Sequence, residues 1–209
     1  MLVAVEGIDG AGKNTLVTAL QQRIPSMEVL GFPRYEVSVH AQLADKALKG
    51  GMGDLIDSIH GMATLFALDR LGAREQLAAA AADPAQVLVL DRYVASNAAY
   101  TSARLSDESA AQWVAELEFT TFGLPAPDVQ VLLDTPVQMA AARAQRREAQ
   151  DATRTRDAYE RDADLQTRTA YAYRRLAAEG WGSPWIVAAP EDSPAKTAER
   201  IMNTLGMEL

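Results

Sequence analysis

Leu2-Val3-Ala4-Val5-Glu6-Gly7-Ile8-Asp9-Gly10-Ala11-Gly12-Lys13-Asn14-Thr15 is the stretch that decides the fold of this 209-residue chain. It opens apolar without alternation, the pattern of a strand buried on both faces. Gly7 to Lys13 then fits G-x-x-x-x-G-K, a phosphate-binding loop placed between a strand and a helix. Glycines let the backbone bend around the β- and γ-phosphates with its N–H groups pointing inward. The helix that starts here adds the positive end of its dipole. Lys13 brings a mobile positive charge to the β/γ oxygens. Gly7, Ile8, Asp9, Gly10, Ala11, Gly12, Lys13, Asn14 and Thr15 are the expected ATP-binding residues.

One position departs from the pattern. The residue after the lysine is usually Ser or Thr, whose hydroxyl ligates Mg²⁺, and here it is Asn14. Asp9, inside the loop, offers a harder, charged oxygen donor. Asp91, at the end of the apolar run Val87-Leu88-Val89-Leu90, is a second candidate. Metal binding is expected to be rearranged here, not lost.

Outward from the loop, four more apolar runs read as strands buried on both faces: Met27–Phe32, Gln86–Asp91, Val129–Asp134 and Trp185–Ala189. Helical stretches separate them: Gly12–Ile24, Val37–Lys49, Asp54–Ala82, Asp107–Phe122 capped by Ser106, a helix from Pro136, Ala158–Glu179 and Ser193–Leu205. The alternation predicts an α/β, three-layer P-loop NTPase fold, with a five-stranded parallel sheet flanked by helices. Ligands of such sheets bind at the carboxyl ends of the strands. With no repeat or linker in sight, one domain over residues 1–209 is expected.

The net charge of −8 and a pI near 4.8 argue against a nucleic-acid partner. No apolar run reaches the roughly 18–20 residues of a membrane span, and no leader pattern follows Met1. The absence of cysteine excludes disulfides, thiolate zinc sites and thiol nucleophiles. A cytoplasmic location is the expectation. Sixteen of the twenty basic residues are arginine, and nine of these lie between Arg143 and Arg175, against six acids. The guanidinium fork suits phosphate oxygens. On composition alone, a solvated arginine-rich helix face reads equally well.

A GTPase would need a guanine-reading Asn-Lys-x-Asp, and none of Asn14, Asn97 and Asn203 precedes a lysine. A slow ATPase switch, or a nucleoside or nucleotide kinase of another base preference, stays open as an alternative. The switch leaves Asp91-Arg92-Tyr93 and the Arg143–Arg156 cluster without a purpose. Gly7–Thr15, Phe32-Pro33-Arg34-Tyr35, Thr64–Arg70, Asp91–Tyr100 and Arg156–Asp162 together resemble thymidylate kinase, especially its mycobacterial form. The motifs follow the family's order up to about residue 170.

The resemblance implies transfer of the γ-phosphoryl group of ATP to dTMP, with Mg²⁺, in a cytoplasmic homodimer. It implies that Phe66 stacks on thymine, that Arg70 donates to a base carbonyl and that Asn97 offers donor and acceptor to the base edge. Arg92 takes the acceptor's phosphate, Tyr100 fills the place of a 2′-hydroxyl, and Asp9 meets the 3′-hydroxyl and the metal. Phe32, Tyr35, Ser96, Asp157 and Tyr159 complete the substrate set, and Glu160 joins Asp9 and Asp91 as a metal candidate. The segment at about 141–156 matches the family's lid. Gly10-Ala11 leave no arginine in the loop, so the transition-state arginine is expected from this lid, Arg147 first and Arg143 second. Arg143, Arg146 and Arg147 lie three and four residues apart, so two or three of them share a helix face. The lid departs from the mycobacterial one over Glu148–Thr153, where an arginine is missing. No catalytic base is needed, because the acceptor oxygen of a monophosphate is already anionic.

Overall fold

Leu2–Glu6 (β1), Lys13–Gln21 (α1), Glu28–Gly31 (β2), Val39–Leu48 (α2), Ile59–Leu71 (α3), Arg74–Ala82 (α4) and Leu88–Asp91 (β3) make up the first half of the chain. Val94–Leu105 (α5), Ala110–Ala115 (α6), Val129–Leu133 (β4), Val137–Gln150 (α7), Ala158–Arg161 (α8), Ala163–Ala178 (α9), Trp185–Ala188 (β5) and Pro194–Thr204 (α10) follow. The coordinates are those of a computed structural model and describe residues 1–150 and 156–207. Of the expected lid, residues 151–155 lie outside the described residues.

All five strands are parallel, in the order β2-β3-β1-β4-β5, so the P-loop NTPase reading of the fold holds. Val3 pairs with Val89 on one side and with Val129 on the other, which makes β1 the middle strand. The chain leaves β1 for one half of the sheet and enters the other half only after β3. The loop following β1 therefore opens where the order of strands switches, the place where such sheets hold ligands.

Side chains alternate between two cores, one on each face of the sheet. Leu2, Ala4, Leu88, Leu90 and Leu132 face Tyr93, Val114 and Tyr173. Val3, Val5, Val89 and Val131 face Leu16, Leu20 and Ile201. Burial on both faces holds for β1, β3 and β4 but not for the edge strands. Three of the four β2 residues are exposed, and Val187 of β5 is 43% exposed. An edge strand packs on one neighbour only, so its apolar content overstates its burial.

Three helical readings are corrected. Ser106 does not cap the helix after it. It closes α5 in the left-handed region at φ 53°, its N–H on Ser102 O. Asp54–Ala82 is not one helix: a 3₁₀ turn at Gly53–Asp57 leads to α3, whose cap Ser58 accepts from Gly61 N, and Gly72-Ala73 separates α3 from α4. Ala158–Glu179 divides at Asp162, whose carboxylate caps α9 by accepting from Leu165 N. Beyond α6 the helix widens into a π-helical stretch, Glu116–Thr121.

Candidate active site

The loop between β1 and α1 has the backbone its glycines allow. Gly10 sits at φ 82°, and a Cβ there would come within 2.1 Å of Ala140 O. Gly12, at φ 106°, is the residue before α1. Lys13 folds over the loop, its Nζ donating to Gly7 O at 3.1 Å and Ile8 O at 3.2 Å. Burial and the charge of Arg92 push its ammonium down to about 8, against the pull of Asp9, Asp91 and Glu6.

Next to the loop lies a cavity lined by Asp9 and Arg92, by Phe66 and Tyr159, and by the buried Arg70 and Asn97. Phe32, Tyr35, Ser96, Tyr100, Asp157 and Glu160 line it too. The expected substrate residues thus meet in one place, drawn from α3, α5, α8 and the loops after β1, β2 and β3.

Arg92 is the non-glycine residue just past β3 and holds a left-handed φ of 67°, a conformation that costs ~1–2 kcal/mol. Its guanidinium pairs with one oxygen of Asp9, while Tyr100 Oη donates to the other at 2.9 Å. Burial alone would raise the Asp9 carboxyl, yet Arg92 and Lys13 more than offset it and hold the group at about 2. Behind Arg92, Glu6 is fully buried and accepts from Tyr93 N, Ser96 Oγ and Tyr173 Oη. Arg92 Nη1 rests on Ser96 Oγ at 3.2 Å and Tyr173 Oη at 3.4 Å. Ser96 is therefore tied into the support of Arg92, besides touching the cavity.

In the same cavity, Arg70 is 3% exposed, and its Nε and Nη2 donate to Glu118 at 2.5 and 2.7 Å. Asn97 Nδ2 donates to Ala63 O at 3.0 Å and to Glu118 Oε1 at 2.7 Å. Neither partner can donate back, so the expectation that Asn97 offers a donor to the base is corrected. Both of its N–H groups are used inside the protein, and Oδ1 is the atom left.

On the lid side, Arg143 and Arg147, one turn apart on α7, face the loop across a second cavity that Asp91 and Arg92 also line. Arg143 Nη1 reaches Ala11 O at 3.3 Å, and Arg147 Nη2 donates to Glu160 Oε2 at 3.2 Å. Arg146 is exposed and not among the residues lining that cavity, so two of the three arginines share the face. Asp157 caps α8 through Glu160 N at 2.9 Å. Burial first, then Asp9 and Asp157, push the Glu160 carboxyl up to about 7.

The metal candidates differ in what is free. Asp9 is engaged at both oxygens and Glu160 by Arg147, whereas Asp91 Oδ1 is buried with no hydrogen-bond partner among the described residues. Asn14 and Thr15 are exposed at the start of α1, beside the same cavity. Among the described residues no three His, Cys, Asp or Glu side chains converge to hold a metal alone.

Two features escaped the sequence reading. Glu118 is one, hidden in a stretch that reads as an ordinary amphipathic helix. The other is a cleft beyond the loop between Gly12, Thr15, Leu133, Arg143, Ala189 and Pro190. Its residues come from four distant segments, and no local spacing joins them.

A family model described as thymidylate kinase matches residues 5–198 of the chain. The chain is 48% identical over 205 residues to the thymidylate kinase of Mycobacterium tuberculosis, covering 95% of each. It is 30% identical over 211 residues to that of Akkermansia muciniphila, covering 99% of this chain and 91% of the relative. The solved structure of thymidylate kinase from Candida albicans superposes with a TM-score of 0.71 at 16% identity, over 98% of this chain and 90% of that one, a likeness of fold.

Proposed function

The chain belongs to the thymidylate kinase family and phosphorylates dTMP from ATP, and on that premise we propose that the cavity lined by Arg70 and Asn97 holds dTMP while the glycine loop holds the ATP phosphates. The observation that carries this division is the position of Asp9 and Arg92. They belong to both cavities and stand where the acceptor's phosphate meets the γ-phosphate.

Phe66 packs against the small cluster of Met62 and Leu48 and lines the cavity, so it is the ring that would stack on thymine. Tyr100 stacks on Tyr159 with centroids 5.9 Å apart, and that rigid pair underlies the sugar. The cleft between Gly12, Leu133, Ala189 and Pro190 suits the adenine of ATP, being apolar along Leu133, Ala188, Ala189 and Pro190 and sharing Gly12 and Thr15 with the loop. Transfer needs in-line alignment and neutralisation of the moving charge, which Lys13, Arg92 and Arg147 supply without a proton acceptor, while Arg143 holds ATP at the loop. Asp91 would hold Mg²⁺, with Asp9 lining the same cavity and Glu160 the neighbouring one, and the ion would supply positive charge to the phosphate oxygens. The open Asp91 oxygen supports this order of metal candidates.

No helix among the described residues is long and apolar enough to cross a membrane. A single domain over 1–209, a cytoplasmic location and the absence of a nucleic-acid partner complete the reading. A homodimer is supported by Leu65 and Leu68 on α3, apolar residues left only half-buried in the single chain.

Coupled measurement of ADP release with each deoxynucleoside monophosphate, and with none, tests the proposal. Turnover should depend on the acceptor and be highest with dTMP. ADP release at the same rate without an acceptor would mean a hydrolase and overturn it.

Lys13 gives a second check. Lys13→Ala should lower kcat by ~10²-fold with the fold intact, the loss expected for one preorganised electrostatic stabiliser. In the unaltered protein, kcat/KM for ATP should fall as pH rises through about 8, because the free enzyme then loses the Lys13 charge. A profile that stays flat well above that pH, or a Lys13→Ala variant of undiminished kcat, would remove Lys13 from this role.

A further inference from the structure

Glu118 carries a buried charge apart from the phosphate-binding groups, paired with Arg70. It is 0% exposed and is placed by the π-helical stretch Glu116–Thr121, whose widened turn drops it between α3 and α5. Its two oxygens take three N–H groups, two from Arg70 and one from Asn97. An ionised carboxylate only accepts hydrogen bonds, and so does Ala63 O, the other partner of Asn97. Together they settle which way the Asn97 amide lies. They leave Arg70 Nη1, a donor, and Asn97 Oδ1, an acceptor, for whatever enters the cavity. Among the described residues the hydrogen-bond donor recorded for Oδ1, Thr101 Oγ1, stands off at 3.5 Å.

We infer that Glu118 is a positioning residue that sets the hydrogen-bond polarity of the cavity floor. It makes that floor match a pyrimidine with a carbonyl beside a ring N–H, and mismatch one with an amino group beside a bare ring nitrogen. The inference rests on the reading that Arg70 and Asn97 face the base. Glutamine at this position keeps the shape and replaces one acceptor by a donor. With its nitrogen in the place of Oε2 it meets Arg70 Nε, and in the place of Oε1 it meets N–H groups of both Arg70 and Asn97. In the second orientation Asn97 loses its acceptor and is released to turn its own N–H toward the ligand.

The test is steady-state kinetics of the full chain with ATP and dTMP, dUMP or dCMP. In Glu118→Gln the preference for dTMP over dCMP in kcat/KM should shrink by at least ~10-fold, the loss falling on the dTMP KM, since one reversed polar contact is enough for that factor. The KM for ATP should stay unchanged. Glu118→Asp, still acceptor-only, should keep the preference. An equal loss on all three acceptors would overturn the inference. So would an unchanged dTMP to dCMP ratio.

Arg70→Gln separates this failure from that of the underlying reading. If that variant also leaves the ratio unchanged, the base is not read here at all. If it collapses the ratio while Glu118→Gln does not, Glu118 is structural only. Should Glu118→Gln not fold, ¹⁵N spectra of the unaltered protein decide. The Asn97 side-chain amide protons should be protected from solvent exchange and keep their shifts when dTMP is added. Rapid exchange, or a large shift on binding, would mean that the amide donates to the ligand and would overturn the inference.

Discussion

Arg147→Ala is expected to lower kcat by ~10³-fold or more while moving the KM of dTMP only a few-fold, the signature of an arginine that acts on the transferring phosphoryl group. The loop itself, with Gly10 and Ala11 at its tip, has no arginine to give. Arg143 and Arg147 both face it, but not alike. Arg143 rests on Ala11 O and also borders the cleft assigned to adenine, so it belongs with ATP binding. Arg147 instead pairs with Glu160, which lines the cavity proposed for dTMP. Among the described residues its Nε is buried without a partner and its ion pair is with Glu160, a carboxyl pushed up to about 7 and so only partly charged at neutral pH. A donor held this loosely is free to turn to new oxygens. Interactions made only in the transition state lower kcat when removed, whereas uniform binding raises KM. Arg143→Ala should therefore raise the KM of ATP and spare kcat. Rapid-quench and steady-state measurements on both variants decide the matter. An Arg147→Ala enzyme of ordinary kcat ends the assignment.

The sequence made the frame of this site legible because its signals are local. A strand, a glycine loop and a helix occupy consecutive residues, and β1 runs over Leu2–Glu6 as the apolar run predicts. The remaining strands lie within two residues of their expected limits, since Val, Ile and Leu without alternation mark the central sheet. Where the environment changes along the sheet, the same composition misleads. Glu28–Gly31 reads like an inner strand and sits at the edge, because nothing in four residues says how many neighbours they have. Helix limits fail in the same way. Asp162 caps α9 in the middle of a run that looks continuous, and a cap is a backbone event the periodicity hardly registers.

Within the site, Arg70 and Asn97 were visible through family resemblance, but the polarity of Asn97 was not. That polarity depends on Glu118, 21 residues away in sequence and reached through a π-helical stretch. Its only sequence signal is an acid among Trp113, Val114, Leu117 and Phe119, where a charge is out of place unless it is paired.

Rejection of dCMP by at least ~10³ in kcat/KM relative to dTMP is the expected consequence of that buried arrangement. Thymine presents a carbonyl at O4 and an N–H at N3, and Arg70 Nη1 with Asn97 Oδ1 can meet both. Cytosine presents an amino group and a bare nitrogen at the same places, so a donor faces a donor and an acceptor faces an acceptor. Arg70 cannot escape by deprotonating, and Glu118 keeps Asn97 from turning over. Each buried group left unpaired costs ~1–3 kcal/mol, and two reversed pairs together pass the ~4 kcal/mol that a thousandfold preference needs. Sites of this kind discriminate by up to ~10⁴–10⁵. Uracil keeps both contacts and loses a methyl group worth ~1–3 kcal/mol, so dUMP should be a slow but measurable substrate. In Arg70→Gln the amide can present its oxygen, which should shrink the dCMP penalty more than it harms dUMP. That substitution also leaves Glu118 without its countercharge, a loss of ~3–5 kcal/mol in stability. The ratio of kcat/KM for two acceptors on one preparation is nevertheless independent of how much enzyme is folded. Efficient phosphorylation of dCMP by the unaltered enzyme would mean that Arg70 and Asn97 do not read the base.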